Sequence, residues 1–75
     1  MQIRVNMMGG LKPMTPDGGR LDAEDGATIE QVLEQLGVEA KQVQIVMHNG
    51  KPQANRLTTL AADDEITVLP PVGGG

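Results

Sequence analysis

The last six residues, Pro70-Pro71-Val72-Gly73-Gly74-Gly75, are the part of this chain whose types and spacing suit chemistry. Proline fixes its own φ and holds the residue before it extended, so the diproline gives the tail a defined exit direction. Glycine has no side chain and accepts nearly any φ and ψ, so the three that follow make a thin, supple thread. An α-carboxylate at Gly75, on the tip of such a thread, can enter a narrow pocket on another protein. Gly75 then becomes a group for another protein's chemistry, and Pro70, Pro71, Val72, Gly73 and Gly74 become the residues a partner grips. A frayed end is the plainer reading. Frayed ends tend to be polar and charged, however, and this one carries no charged side chain.

The other reactive residue types are sparse. There is no Cys and a single histidine, His48, so a thiolate or paired-histidine metal site has no ligands. His48 precedes a turn and reads as a surface residue. Asp22, Glu24 and Asp25 lie ahead of a helix, where exposed amides favour negative charge, and they need no metal to explain them. Asp63-Asp64-Glu65 reads as a solvated turn. The paired glycines Gly9-Gly10 and Gly18-Gly19 lack the Gly-Lys-Ser/Thr run of a phosphate loop, so no nucleotide site follows. Nor is there a locatable nucleophile–base pair or carboxylate dyad, and an enzyme in its own right is the least favoured class.

Composition narrows the partners. Six Lys and Arg against ten Asp and Glu give a net charge of −4, which disfavours nucleic acid. The absence of Phe, Tyr and Trp removes base stacking as well. The N-terminus MQIRVN lacks the apolar stretch of a signal peptide and no run approaches a membrane span, so a cytoplasmic protein, monomeric when free, is expected. A chain of 75 residues is one small domain that buries only about 60–65% of its unfolded surface. Its core must come from Val, Ile, Leu, Met and Ala.

The elements that must position the tail follow from periodicity. Met1, Ile3, Val5 and Met7 alternate with polar residues, giving a half-buried first strand. The stretch 9–19, with four Gly and two Pro in eleven residues, predicts a long, mobile loop. A weak strand around Arg20–Ala23 follows, then a turn at Asp25-Gly26. Thr28–Leu36 is a helix: Thr28 and Gln31 fit a capping box, and Ile29, Val32, Leu33 and Leu36 form one apolar stripe. Gly37 is placed to end it in the left-handed conformation, with Val38 folding back near Leu33. Val43, Ile45 and Met47 alternate as a further strand into Asn49-Gly50, a strong hairpin signal. Pro52 makes the returning strand short or marginal to the sheet. Leu57 and Leu60 are expected to cover the open end of the core. Ile66–Leu69 is the final strand and delivers the tail.

A helix and a sheet must bury their apolar sides against each other, so the fold class is α+β. The expected architecture is a β-grasp, a mixed sheet with one helix on one face, in residues 1–69, with 70–75 as a flexible tail. An open sheet whose first and last strands do not pair is the alternative. If Ile45, Met47, Ile66 and Val68 face the helix, Val46 and Leu69 face away and form an outer docking patch for a partner.

Asp25-Gly26-Ala27-Thr28 before the helix, Asn49-Gly50, Asp64-Glu65 before the last strand and the closing Gly74-Gly75 together resemble the ubiquitin-like sulfur carriers. These are the molybdopterin synthase small subunit and thiamine-biosynthesis carrier families, and the resemblance spans nearly the whole chain. Pro70-Pro71-Val72 is closer to the molybdopterin type, whereas the compact start MQIRVN is similar to the thiamine type. Asp63 stands where those families usually place a glycine. The resemblance implies a carrier that binds no cofactor. An activating enzyme would adenylate the Gly75 carboxylate with ATP, and a sulfur donor would convert it to a thiocarboxylate. A partner synthase would then accept the sulfur into a pterin, thiazole or tRNA product. The same tail would also serve a protein modifier joined to lysines, and a plain binding module with an inert tail is the third class.

Overall fold

The alternation of Ile3, Val5 and Met7 becomes strand β1, Gln2–Met7, in the computed structural model, which describes residues 1–72. The remaining elements are β2 (Arg20–Asp22), α1 (Ile29–Gln35), β3 (Ile45–His48), β4 (Lys51–Pro52) and β5 (Glu65–Leu69). They form one five-stranded sheet in the order β2-β1-β5-β3-β4. β1 and β5 run parallel at its centre, and every other pairing is antiparallel. The first and last strands are therefore neighbours, as a β-grasp requires and the open-sheet alternative does not. Pro52 lies in the edge strand, where its missing N–H costs no ladder bond.

The helix ends where its sequence says it should. The Thr28 hydroxyl accepts from the Gln31 N–H at 3.2 Å, and the Gln31 side chain accepts from the Thr28 N–H at 2.9 Å. The remaining early amides are met by the irregular segment ahead of β5: Ile29 N–H donates to the Thr58 carbonyl and Glu30 N–H to that of Arg56. At the other end Gly37 takes φ +78°. Its N–H donates to the Glu34 carbonyl and that of Val38 to the Leu33 carbonyl, the two bonds of a Schellman stop. Val38 and Leu33 are both buried, supplying the apolar contact that accompanies this stop.

One aliphatic cluster fills the space between helix and sheet. Ile3, Val5, Met7, Val46, Ile66 and Val68 come from the strands, and Ile29, Val32 and Leu33 from α1. Leu60 closes one end, as expected, but Leu57 does not. An Asx turn, in which Leu57 N–H donates to Asn55 Oδ1, carries it outward to 65% exposure. The glycine-rich stretch also departs from the loop expected of it. It folds into two 3₁₀ segments, Gly9–Met14 and Asp17–Gly19, and buries Leu11. Its one large aliphatic side chain pins the segment to the core, and the short i→i+3 turns accommodate Pro13.

The faces of β3 are the main correction. Val5 pairs with Ile66 and Met7 with Val68, which fixes Ile66 and Val68 inward. On the other side β5 sets Val46 opposite Val68 and Ile45 opposite Leu69. Val46 is therefore core, at 1% exposure, while Ile45 and Met47 share the outer face with Leu69. The alternation of Val43, Ile45 and Met47 points the wrong way because Val43 is not in the strand. It follows the 3₁₀ turn Ala40–Gln42, and a bend at Gln44 separates it from β3. A one-residue slip of register flips every side chain to the other face. Burying an unpaired carboxylate costs several kcal/mol, a large share of the roughly 5–15 kcal/mol that holds a small domain together. Val46→Asp is accordingly expected to abolish the cooperative thermal transition seen by circular dichroism. A native-like melt would contradict the inward placement.

Candidate functional site

β5 ends at Leu69, whose carbonyl accepts from the Gln44 N–H at 2.8 Å. The chain then leaves the sheet: Pro70 is half-buried, Pro71 is exposed and Val72 reaches 91% exposure. Gly73, Gly74 and Gly75, which carry the chemistry expected of the tail, lie outside the described residues.

The outer sheet face is polarised along the strands. At the end from which the tail departs, Leu69 sits beside Ile45, which is 42% exposed. Met8, also 42% exposed, continues β1 on the far side of Leu69, its N–H donating to the Val68 carbonyl at 3.0 Å. Met47, paired with Thr67 and with Pro52 of the edge strand, extends this apolar surface. At the opposite end the same face is polar. Asn6 donates to Glu65 Oε2 at 3.0 Å, and Arg4 lies 3.9 Å from the same carboxylate. An apolar patch contiguous with an exposed tail suits a partner that holds the domain while it works on the chain end. Of the two patch residues expected from sequence, Leu69 stands there and Val46 does not. Ile45, Met47 and Met8 were missed: the first two needed the correct β3–β5 register, whereas Met8 follows from continuing the β1 alternation one residue past Met7.

His48 and Asp64 form the second feature that the sequence concealed. His48 is half-buried, not free on the surface, and its Nε2 lies 2.8 Å from Asp64 Oδ2. The same carboxylate accepts from the Ala61 N–H at 2.9 Å and from the Asn49 side chain at 3.0 Å. Asn49 in turn accepts from the Glu65 N–H at 2.8 Å. These bonds tie the β3–β4 turn to the start of β5, and no nucleophile stands within the set. Among the described residues no three His, Asp or Glu converge as metal ligands. Partial burial pushes the Asp64 carboxyl up, but donation from Ala61, His48 and Asn49, with the attraction of His48, outweighs it and holds the group at about 2 instead of 3.8.

A carboxyl lowered by folding stabilises the native state above its unfolded value, and that stability is lost as pH falls through the folded value. Asp64→Asn should therefore unfold more easily at pH 7 by about 2 kcal/mol. In urea titrations the gap from the unmutated protein should close between about pH 4 and pH 2. A gap that persists below that window would assign the effect to something other than the ionised carboxylate.

The ThiS family model matches residues 5–75. SAMP1 of Haloferax volcanii, a small archaeal modifier protein, is 24% identical with a TM-score of 0.74, covering 100% of both chains. A candidate molybdopterin converting factor subunit 1 of Pyrococcus furiosus is 16% identical with a TM-score of 0.75, covering 96% of this chain and 99% of that one. A chain from the complex of subunits 1 and 2 of the molybdopterin-converting factor of Helicobacter pylori 26695 is 27% identical, with a TM-score of 0.63 and full coverage of both. No curated protein matches the chain. The β-grasp fold is common to these structures. Among the described residues no helix is long and apolar enough to cross a membrane.

Proposed function

The chain belongs to the ThiS family of ubiquitin-like sulfur carriers, and we propose that it acts as a co-substrate whose Gly75 carboxylate is activated and sulfurated by partner enzymes. The carboxylate oxygen attacks the α-phosphorus of ATP on an adenylating enzyme, releasing pyrophosphate and leaving an acyl-adenylate. A donor of sulfide-level sulfur then attacks the acyl carbon and expels AMP, giving the thiocarboxylate. On a sulfur-accepting synthase subunit the thiocarboxylate sulfur bonds to the acceptor's carbon, and water cleaves the acyl–sulfur bond to restore the Gly75 carboxylate. The observation that carries this reading is the junction of the apolar patch of Met8, Ile45, Met47 and Leu69 with a tail that leaves at half-buried Pro70 and is exposed at Pro71 and Val72. The patch holds the domain, the diproline aims the thread, and the glycines leave room for a narrow channel. ATP belongs to the activating partner, and this chain holds no cofactor of its own.

The molybdopterin type is preferred over thiamine or tRNA thiolation. Pro70-Pro71-Val72 favours it, and so does the likeness to a chain of the H. pylori converting-factor complex, which assembles with a second subunit. Conjugation to lysines, as a protein modifier, is supported by the end-to-end likeness to SAMP1. Intact mass measurement of the protein from its native cell separates the two. One sulfur in place of one oxygen marks the carrier, and adducts that survive denaturation and reducing agents mark the modifier. A residue appended after Gly75 moves the reactive carbon and is expected to abolish thiocarboxylate formation. Sulfur loading of the extended, untrimmed protein would overturn the carrier reading.

Ile45→Asp tests the patch. Because Ile45 faces outward, the fold should survive, while affinity for the activating enzyme should fall by about tenfold or more, as when a charge replaces an interface anchor. Unaltered affinity would remove the patch from the reading.

A further inference from the structure

Pro70 follows directly on β5, and Gly9 lies beside its ring on the β1 side. Gly9 opens the first 3₁₀ segment with φ +54°, a conformation that L side chains rarely adopt. A Cβ at Gly9 would stand 3.0 Å from Cγ and 3.6 Å from Cδ of the Pro70 ring. The first distance is tighter than ordinary carbon–carbon contact, so a side chain here would press on the ring. Gly9 has little freedom to retreat. On one side Met8 is bonded to Val68, and on the other the Leu11 N–H donates to the Met8 carbonyl while the Leu11 side chain is buried in the core. On the opposite flank, Gln44 holds the Leu69 carbonyl.

We propose that Gly9 is a positioning residue for the tail: its bare backbone forms the seat of the Pro70 ring and so sets the direction in which Pro70-Pro71-Val72 leaves the sheet. Because the diproline is stiff, a small displacement at Pro70 swings the chain beyond it. The inference rests on the reading that partners act on the chain end. Within that reading it adds that the β1–3₁₀ corner, remote in sequence, governs how the end is presented.

A double-mutant cycle with the full-length protein tests it. Gly18 shares the left-handed backbone at φ +67° but would place its Cβ in open space, so Gly18→Ala controls for strain alone. Gly9→Ala should raise KM for the carrier in ATP–pyrophosphate exchange by the activating enzyme, lowering kcat/KM by about tenfold, while Gly18→Ala stays within about twofold. In a Pro70→Ala background, which lacks Cγ and Cδ, Gly9→Ala should cost less than about twofold. Equal costs in both backgrounds, or no cost in either, would overturn the proposal. Nuclear magnetic resonance makes the result independent of the reading. Wild type should show contacts between the Gly9 Hα and Pro70 ring protons, and the Val72 amide coupling should change in Gly9→Ala but not in Gly18→Ala. An unchanged Val72 amide in Gly9→Ala would also overturn it. Failure of the wild-type protein to be adenylated at all would instead refute the carrier reading and leave the resonance test standing.

Discussion

The constraint on which the rest of the structure depends is the parallel pairing of the first and last strands. Val5 beside Ile66 and Met7 beside Val68 place four aliphatic side chains in the middle of the core, where none is more than 4% exposed. Parallel strands need a long crossover between them. Here nearly everything between residues 8 and 64 is that crossover: α1 covers one face, and two hairpin-like excursions fill the flanks. The pairing also has a positional consequence. It puts the end of β1 beside the end of β5, so the corner at Met8-Gly9 meets the root of the tail. A domain in which the two strands did not pair would leave the tail without a second wall.

Much of this was legible in the chain because local chemistry and global fold agree. Thr28, Gln31 and Gly37 mark the helix ends through groups that must be satisfied wherever the helix sits, so no knowledge of the sheet is needed. Asn49 and Gly50 both take positive φ, +51° and +83°, as a tight hairpin demands. What was not legible is what only partners decide. The faces of β3 depend on β5, and the bend at Gln44 that shifts their phase leaves no mark in the hydrophobic pattern. Leu11 reads as one apolar residue in a glycine-rich stretch, yet its burial orders that segment. His48 and Asp64 are separated by 16 residues, and their contact arises only once the β3–β4 turn folds against β5. The tail was legible as a type of sequence, but its described part ends at Val72.

Asp63 shows how a departure from a family pattern is absorbed. It takes φ +67°, the conformation for which a glycine is the usual choice. Asp and Asn tolerate this region better than other side chains. The neighbouring backbone is well held: Asp63 N–H donates to the Gln2 carbonyl, and Asp64 N–H to that of Ala61, each within 3.1 Å. The turn therefore keeps its geometry without glycine. The strain is offset by these backbone bonds and by the anchored Asp64 carboxylate. The absence of a glycine here does not count against the fold.

The aliphatic core is consumed in holding two strands and a helix together, and the polar side chains that are well placed serve caps and turns. Among the described residues, the His48–Asp64 pair has the composition of an acid–base couple, but its carboxylate is engaged in closing the β3–β4 turn. It also lies at the end of the sheet away from the tail, since His48 pairs with Ile66 while Ile45 pairs with Leu69. On the proposed reading, chemistry on the tail comes from partner enzymes. The sheet's own register places the outward apolar patch and the Pro70-Pro71 exit at one end. The opposite end of that face is polar, with Asn6 and Arg4 both turned to the Glu65 carboxylate, so its apolar surface lies next to the tail.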